Sequence, residues 1–504
     1  MNIPSKDLFN LIRSLSMNEK QYFKKYSSIH TDSADKNYLR LYYEIEEQAR
    51  TGEVYDEVKI KEKFKGEKFA KQFHVTKNYL YDLILKSLAS QHSHASDLTE
   101  LYLIISSIHE LFERGLFFQC DKLIKKGKKV AYKNEYFQEL LRLLNYEQMV
   151  ERQNYSSLNS KSKKYENTDT FNEVRKVTEM LNNYQDYMKL GRKAGIIMRR
   201  NLNSGEIKEF RDLIKNPLFK SETKALSYKA KMIYFFVKGQ YYGEIGDPEK
   251  HFELSKHHFE FMESHPERIH ENINQSVSVL HEILETCAQS NRVEDHGKYL
   301  NRLKKFYEAR NDRYLKNIRH DIYQYYFIHL LLQAFLTGEI KKKSDTLMKL
   351  ESDLPLYENK ISRNSRLNIF YLLSEFYFLM RDYKKALYYI NFIINCKESE
   401  EILELYILSA FMNLLIHYEL KNFETVESLS RSLQYFVKKN KKLDKFNFDL
   451  LELLKELLLA DNKKEELKAF NYYIYKEKKN EQISNKDYLV FLHVLKQWIK
   501  TKIS

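Results

Sequence analysis

Glycine and proline are scarce in this chain, at 12 and 5 of 504 residues, where average usage would supply roughly 35 and 25. β-Sandwiches and barrels need turn residues about every 8–12 positions. A β-rich fold is therefore excluded, and long helices joined by short polar links remain. The same scarcity removes the tight loops that cradle phosphate or present a nucleophile. The chain has no GxxxxGKS/T loop, no GxGxxG after a strand, no GxSxG elbow and no HExxH helix. His281-Glu282 continues as Ile283-Leu284-Glu285, without the second histidine of a helical metal pair. No catalytic residue, metal site or cofactor is assigned, and an enzyme is not expected.

Cysteines are also few: Cys120, Cys287 and Cys396 are odd in number, far apart and never in a CxxC pair. That argues against a disulfide framework and against a zinc site. No run of about 18 apolar residues exists to span a membrane; residues 401–420 come closest, interrupted by Glu404, His417 and Glu419. The first residues lack a basic stretch followed by an apolar one, so no leader is read and the cytoplasm is the expected location.

What is abundant is helical material. The chain is 43% hydrophobic and 31% charged, a balance that suits amphipathic helices with solvated outer faces. Its length exceeds what one core usually holds, so several domains or a repeat array is expected. The net charge of +14 is compatible with nucleic acid, anionic membrane or acidic protein partners. The lysines are dispersed, however, and the runs Lys125–Lys126, Lys128–Lys129, Lys341–Lys343 and Lys438–Lys442 read as solvated faces or loops. Ser16-Met-Asn-Glu19 and Thr170-Phe-Asn-Glu173 have capping-box spacing. Asp247-Pro248 places a capping acid before a first-turn proline, and Pro217, Pro266 and Pro355 fall at apparent breaks.

An internal repeat organises the middle of the chain. Phe370-x-x-Leu373-Ser374-x-x-Tyr377 is followed by the turn Met380–Asp382, then Tyr383, Ala386, Ile390 and Ile393. Phe370, Leu373 and Tyr377 share one helical face, and small Ala386 lets a second helix approach closely. This pattern resembles the tetratricopeptide repeat, with Glu398 where the terminal proline usually stands. A second copy has Phe235, Gly239 and Tyr242 before Gly246-Asp247, with His251 in the small-residue position. A third runs Ile104, Ile108, Leu111, Gly115, Phe117, Cys120 and Ile124, in which Cys120 reads as a small buried residue. Fainter units centre on Val293, Ile340 and Phe423; with Tyr383 their steps are 47, 43 and 40 residues, longer than the standard of about 34. The resemblance covers about residues 96–435. It implies an all-α helical-hairpin repeat superhelix, a TPR-like α-solenoid, over residues 96–440. Residues 1–95 and 441–504 would be helical caps that cover the terminal apolar faces. The polar interval 151–170 reads as a long loop or hairpin tip.

In the family's geometry, first-helix residues line a concave groove. Carried over by position, the resemblance implies Phe236 and Gln240 in the second copy, and Tyr371, Glu375 and Phe378 in the best one. Weaker units add Tyr102 and His109, His281 and Glu285, and Tyr325 and Ile328; the aromatics among these read equally well as core. Few charges stand at these positions, and the Lys/Asn clamp for a peptide carboxylate is missing. The implied partner is a helix or an extended apolar peptide of another protein, and the implied function is a non-enzymatic interaction scaffold. The alternative is a DNA-binding regulator. Residues 69–86 resemble a helix-turn-helix, with a turn at His74 and with Thr76, Lys77, Asn78 and Tyr81 facing the major groove. Residues 59–86 hold eight lysines against three acids. The same segment also reads as a plain helical cap. Two further groups have plain readings. His251, His257, His258, His265 and His270 read as surface histidines, and Gly191-Arg-Lys-Ala-Gly195 with Arg199-Arg200 reads as a closely packed helix with a basic flank.

Overall fold

Every regular element among the described residues is a helix. The computed structural model describes the chain except residues 1–5, 30–36, 52–54, 92–95, 158–167, 201–203, 269–272, 310–312, 358, 397–402, 441–444, 480–485 and 504. Half of the polar interval, residues 158–167, and also His270 and Glu398, thus lie outside the described residues. The chain divides into two compact units: residues 1–186 with 226–229, and residues 187–225 with 230–504.

In the first unit, α1 (Asp7–Ser14), α2 (Met17–Ile29), α3 (Asn37–Thr51), α4 (Glu57–Lys63) and α5 (Phe73–Gln91) enclose a core around Phe23, Leu41, Tyr42, Ile45, Leu80 and Ile84. A second core, around Leu101, Ile108, Cys120, Ile124 and Leu143, joins α6 (Asp97–Glu113), α7 (Phe117–Asn134), α8 (Phe137–Ser157) and the start of α9 (Thr168–Met198). The second unit takes the end of α9, then α10 (Ser204–Ile214), α11 (Tyr228–Glu244), α12 (Pro248–Glu263), α13 (Ile273–Gln289), α14 (Val293–Glu308), α15 (Arg319–Thr337) and α16 (Ile340–Tyr357). It continues through α17 (Arg363–Leu379), α18 (Tyr383–Ile394), α19 (Leu403–Glu419), α20 (Phe423–Lys439), α21 (Lys445–Leu459), α22 (Lys463–Lys479) and α23 (Lys486–Ile503). From α12 to α15, and from α17 to α20, each helix packs on the next; α15 also packs on α16.

The local signals are kept in part. Ser16 and Glu19 cap reciprocally: the Ser16 amide donates to Glu19 at 2.7 Å and the Glu19 amide to Ser16 Oγ at 3.3 Å. Asp247 accepts from the Lys250 amide at 3.1 Å, with Pro248 at the first helical position. The second expected box does not form. α9 begins at Thr168, Thr170 Oγ1 donates to Glu151, and Glu173 is held by Lys128 and Tyr132 of α7. A long-range ion pair has taken the carboxylate that a cap would need. Nor does Pro355 mark a break, since it lies inside the last turn of α16. The described lysines of the runs are exposed as expected except two: Lys128 is half-buried and pairs with Glu147 and Glu173 at 2.7 and 2.8 Å, and Lys343 is half-buried and reaches Glu339.

One turn recurs between helices. Gly115, Glu135, Gly246, Asn291, Gly338, Arg381 and Lys421 all have φ between 52° and 71°. In six of these turns the next amide donates back five residues, as Asp247→Tyr242, Arg292→Cys287, Asp382→Tyr377 and Asn422→His417 do at 2.8–3.0 Å. This satisfies helix-terminal carbonyls in a two-residue link, so glycine scarcity does not prevent tight hairpins. Close approach follows the expected small residues: Ser374 Oγ on α17 donates to the Ala386 carbonyl on α18 at 3.0 Å. At the second copy the large His251 is accommodated by Gly243, where a Cβ would lie 3.1 Å from the imidazole.

The four non-glycine residues in this left-handed conformation each bear about 1 kcal/mol of strain. Lys421→Gly and Arg381→Gly, both at exposed sites, are expected to raise stability by about 0.5–1 kcal/mol each after the chain-entropy cost of glycine. Chemical denaturation measures this; an unchanged or lowered midpoint would show that the turn carries no strain.

Candidate functional site in the second unit

Two first helices of the second unit carry long, uninterrupted buried stretches. In α15, residues 326–335 are buried without interruption; in α17 the same holds for residues 369–378. A helix of this kind must be covered on every side. Second helices and neighbouring first helices cover part of it: α13 packs on α15, α15 on α17, and α17 on α19. The remaining face is covered by the chain's own last helix, because α23 packs against α13, α15, α17 and α19 in turn. Trp498 is 3% exposed and lies among Phe378, Tyr418 and Phe470, with ring centroids at 6.1, 6.0 and 5.3 Å. Its indole N–H donates to Glu419 at 2.7 Å, Lys502 pairs with the same carboxylate at 2.5 Å, and Gln497 donates to the Phe335 carbonyl at 2.7 Å. The partner groups at 335 and 419 lie at or next to helix C-termini, where a cation and N–H donors are favoured.

A cavity of about 260 Å³ lies beside Val490, with Leu332, Leu372, Leu408, Glu285, Asn364, Asn368 and Tyr371 among its lining residues. Asn364 and Asn368 are exposed on α17. The arrangement offers an apolar floor with a few convergent polar groups, the usual character of a binding pocket.

Several polar groups are also held on the first helices. Gln240 donates to Glu282 at 2.7 Å; burial pushes the Glu282 carboxyl up to about 7, and the Gln240 bond partly offsets this. His281 stacks on Tyr325 with centroids 3.9 Å apart and planes at 9°. Its Nδ1 lies 2.8 Å from His329 Nε2, His329 Nδ1 lies 3.3 Å from His296 Nε2, and His296 Nδ1 meets Gln333 Oε1. His281, Glu285 and His329 bring three ligand atoms within 4.8 Å of one another. The second histidine that the sequence around His281 lacks is thus supplied by α15. Its absence from α13 is plain in the sequence, whereas the supply from another hairpin has no local signal. Further along, Glu375 is completely buried; burial pushes its carboxyl up to about 8, with the Tyr371 hydroxyl partly offsetting the shift.

The predicted groove residues therefore separate. His281, Glu285 and Tyr325 come together, half-buried; Gln240 is half-buried against Glu282, and Phe236 packs half-buried on its own core. Tyr371, Glu375 and Phe378 are 3%, 0% and 2% exposed. Phe378 meets Trp498 and Tyr371 lines the cavity, while Glu375 faces no open groove. In the first unit, Tyr102 and His109 are exposed on α6.

In residues 69–86 the turn expected at His74 is not formed. The break falls at Gly66 (φ 96°), and a 3₁₀ turn at Lys68–Gln72 runs straight into α5 at Phe73. Phe73, Leu80 and Leu83 all enter the core on one helical face, so the segment is better buried as one helix than as two. Lys77 pairs with Glu57 at 2.6 Å, both side chains being about a tenth exposed, and lies over Tyr55. Thr76 and Tyr81 are half-buried, and Asn78 is exposed.

The histidine group differs from its surface reading. His258 is buried and stacked on Phe235, and burial holds it near pKa 3. His251 meets Thr286 at 3.3 Å, and His257 is exposed. Gly191 does pack closely, against Ile233, while a Cβ at Gly195 would meet nothing within 4 Å; Arg200 pairs with Glu209 at 3.2 Å.

No family model, curated protein or solved structure matches this chain.

Glu375 gives a pH test of this burial. Its carboxyl ionises near 4.5 in the unfolded chain and holds its proton to about 8 in the fold, so the native state binds more protons in between. Stability from this group falls as pH rises from 4.5 to 8 and is level outside that window. Relative to the parent, Glu375→Gln is expected to gain stability across the window, on the order of 4 kcal/mol in total. Denaturation at pH 4.5, 6 and 8 measures it, and a difference independent of pH would refute a buried neutral carboxyl.

Proposed function

We propose that the chain is a non-enzymatic protein-interaction scaffold of tetratricopeptide-like type, whose first-helix groove takes a helical segment of a partner protein in the cytoplasm. The observation that carries this reading is α23 itself. An amphipathic helix of this chain already lies across four successive first helices, held by one buried aromatic anchor and by donors to helix C-termini. Such helix-in-groove recognition is a recurrent mode. The recurring left-handed turn supports the repeat assignment, with hairpins longer than the family standard. The stretch left for a partner is the cavity beside Val490, where Asn364, Asn368 and Glu285 supply polar contacts over an apolar floor. A partner presenting one or two apolar side chains on a helix face, flanked by amide-seeking polar groups, fits this chemistry. No helix among the described residues is long and apolar enough to cross a membrane.

The test is affinity capture of the full-length protein from its own cell extract, read by mass spectrometry, with and without nuclease. A protein enriched in both samples, with affinity for Asn368→Arg reduced about tenfold or more (about 1.4 kcal/mol), is the expected result. Asn368 is exposed, so this change leaves the fold intact. Trp498 is the chain's one tryptophan, and its emission should stay that of a buried indole when the partner binds beside α23. Enrichment that collapses with nuclease would instead favour nucleic acid and the exposed face of α5, and would sink the groove reading.

A further inference from the structure

Three side chains with the chemistry of metal ligands converge where α13 meets α15. His281 and Glu285 stand one turn apart on the same face of α13, and His329 comes from α15; their ligand atoms all lie within 4.8 Å of one another. Both imidazoles are held in place. The flat stack on Tyr325 fixes the His281 ring, and the chain His329–His296–Gln333 fixes the other. That chain also sets the tautomers. An amide oxygen can only accept, so with Gln333 Oε1 as the acceptor His296 donates from Nδ1. His296 Nε2 then accepts from His329 Nδ1–H. His329 Nε2 is left with a lone pair that accepts from His281 Nδ1–H, 2.8 Å away; taking up an ion there moves the His281 proton to its Nε2. Ligating histidines are oriented in this way, with the second nitrogen donating to a fixed acceptor.

We propose that His281, Glu285 and His329 form a binding site for a divalent transition-metal ion of the zinc class, with His296 and Gln333 as positioning residues. Two imidazole nitrogens and one carboxylate oxygen suit such an ion better than magnesium or calcium, which take oxygen ligands. Tetrahedral zinc with Zn–N bonds of about 2.0–2.1 Å sets its nitrogens about 3.3 Å apart. The two facing nitrogens therefore part by about 0.5 Å to admit the ion, which a small ring rotation provides. Three protein ligands leave one position open. Glu285 also lines the 260 Å³ cavity, which gives the ion a route in and gives that position access to water or a donor from a bound molecule. The site stands independently of the scaffold reading.

The experiment uses the chelator-stripped full-length protein, titrated with Zn²⁺ by calorimetry and with Co²⁺ by visible absorption, with Mg²⁺ as control. One equivalent of each transition ion is expected, with the intense d–d bands of a four-coordinate cobalt centre and a rise in melting temperature that Mg²⁺ does not give. His281→Gln and Glu285→Gln alter half-buried positions. Each should weaken binding at least tenfold and abolish the cobalt spectrum, with metal-free melting close to that of the parent. Glu285→Asp, which keeps the carboxylate, should retain part of the affinity. Absence of stoichiometric binding, or equal affinity in the parent and both Gln variants, would overturn the proposal; the latter would place the ion on surface histidines.

Discussion

Covering the first helices on all sides is the constraint on which the second unit depends. The helices α15, α17 and α19 carry long buried apolar stretches, and a two-helix hairpin buries only part of each. Stacking hairpins covers two flanks, and α23 covers the rest. Burying a large aromatic side chain stabilises by about 1.5–3 kcal/mol, so Trp498, Phe378 and Tyr418 together make the final helix an integral part of the core. The bonds to Glu419 and the Phe335 carbonyl then choose its register, since an indole N–H buried without an acceptor is costly.

Exclusion of water in turn governs the chemistry of the polar groups left inside. Charged forms are penalised there, and the structure answers with neutral ones. His258, His296 and His329 remain unprotonated, while Glu282 and Glu375 keep their protons to unusually high pH. Linking the imidazoles through Gln333 makes each nitrogen a donor or an acceptor with a partner, which is the condition for burying them. That pairing leaves one lone pair, on His329 Nε2, turned toward His281 Nδ1. In the first unit, charge is handled differently. Lys77–Glu57 and Lys128–Glu147–Glu173 are ion pairs with side chains only partly screened by water. Breaking one partner of such a pair costs more than the pair contributes.

The helical class and the hairpin turns at Gly246–Asp247 and Met380–Asp382 were legible in the residues. Scarce glycine and proline exclude sheets, and capping at Ser16–Glu19 and Asp247–Pro248 is local chemistry that the fold preserves. Ser374 and Ala386 announced the close approach of α17 and α18 by size alone. The groove positions were legible as first-helix positions, but their exposure was not. Periodicity says which residues share a face; it does not say whether another element lies over that face. Thr170–Glu173 and His74 failed for a related reason. A capping box and a turn are local propensities worth about 1 kcal/mol, and a long-range ion pair in one case and a continuous buried face in the other outweighed them.

The sequence by itself determined that this chain is helical, where its hairpins turn and which faces are apolar, because those properties follow from interactions within a few residues. Only the tertiary structure decided that α23 lies over the first helices, that Glu375 is completely buried, and that His329 meets His281 and Glu285. These meetings join residues dozens of positions apart through packing, and neither composition nor spacing carries the distance between two helices that are not neighbours in the chain.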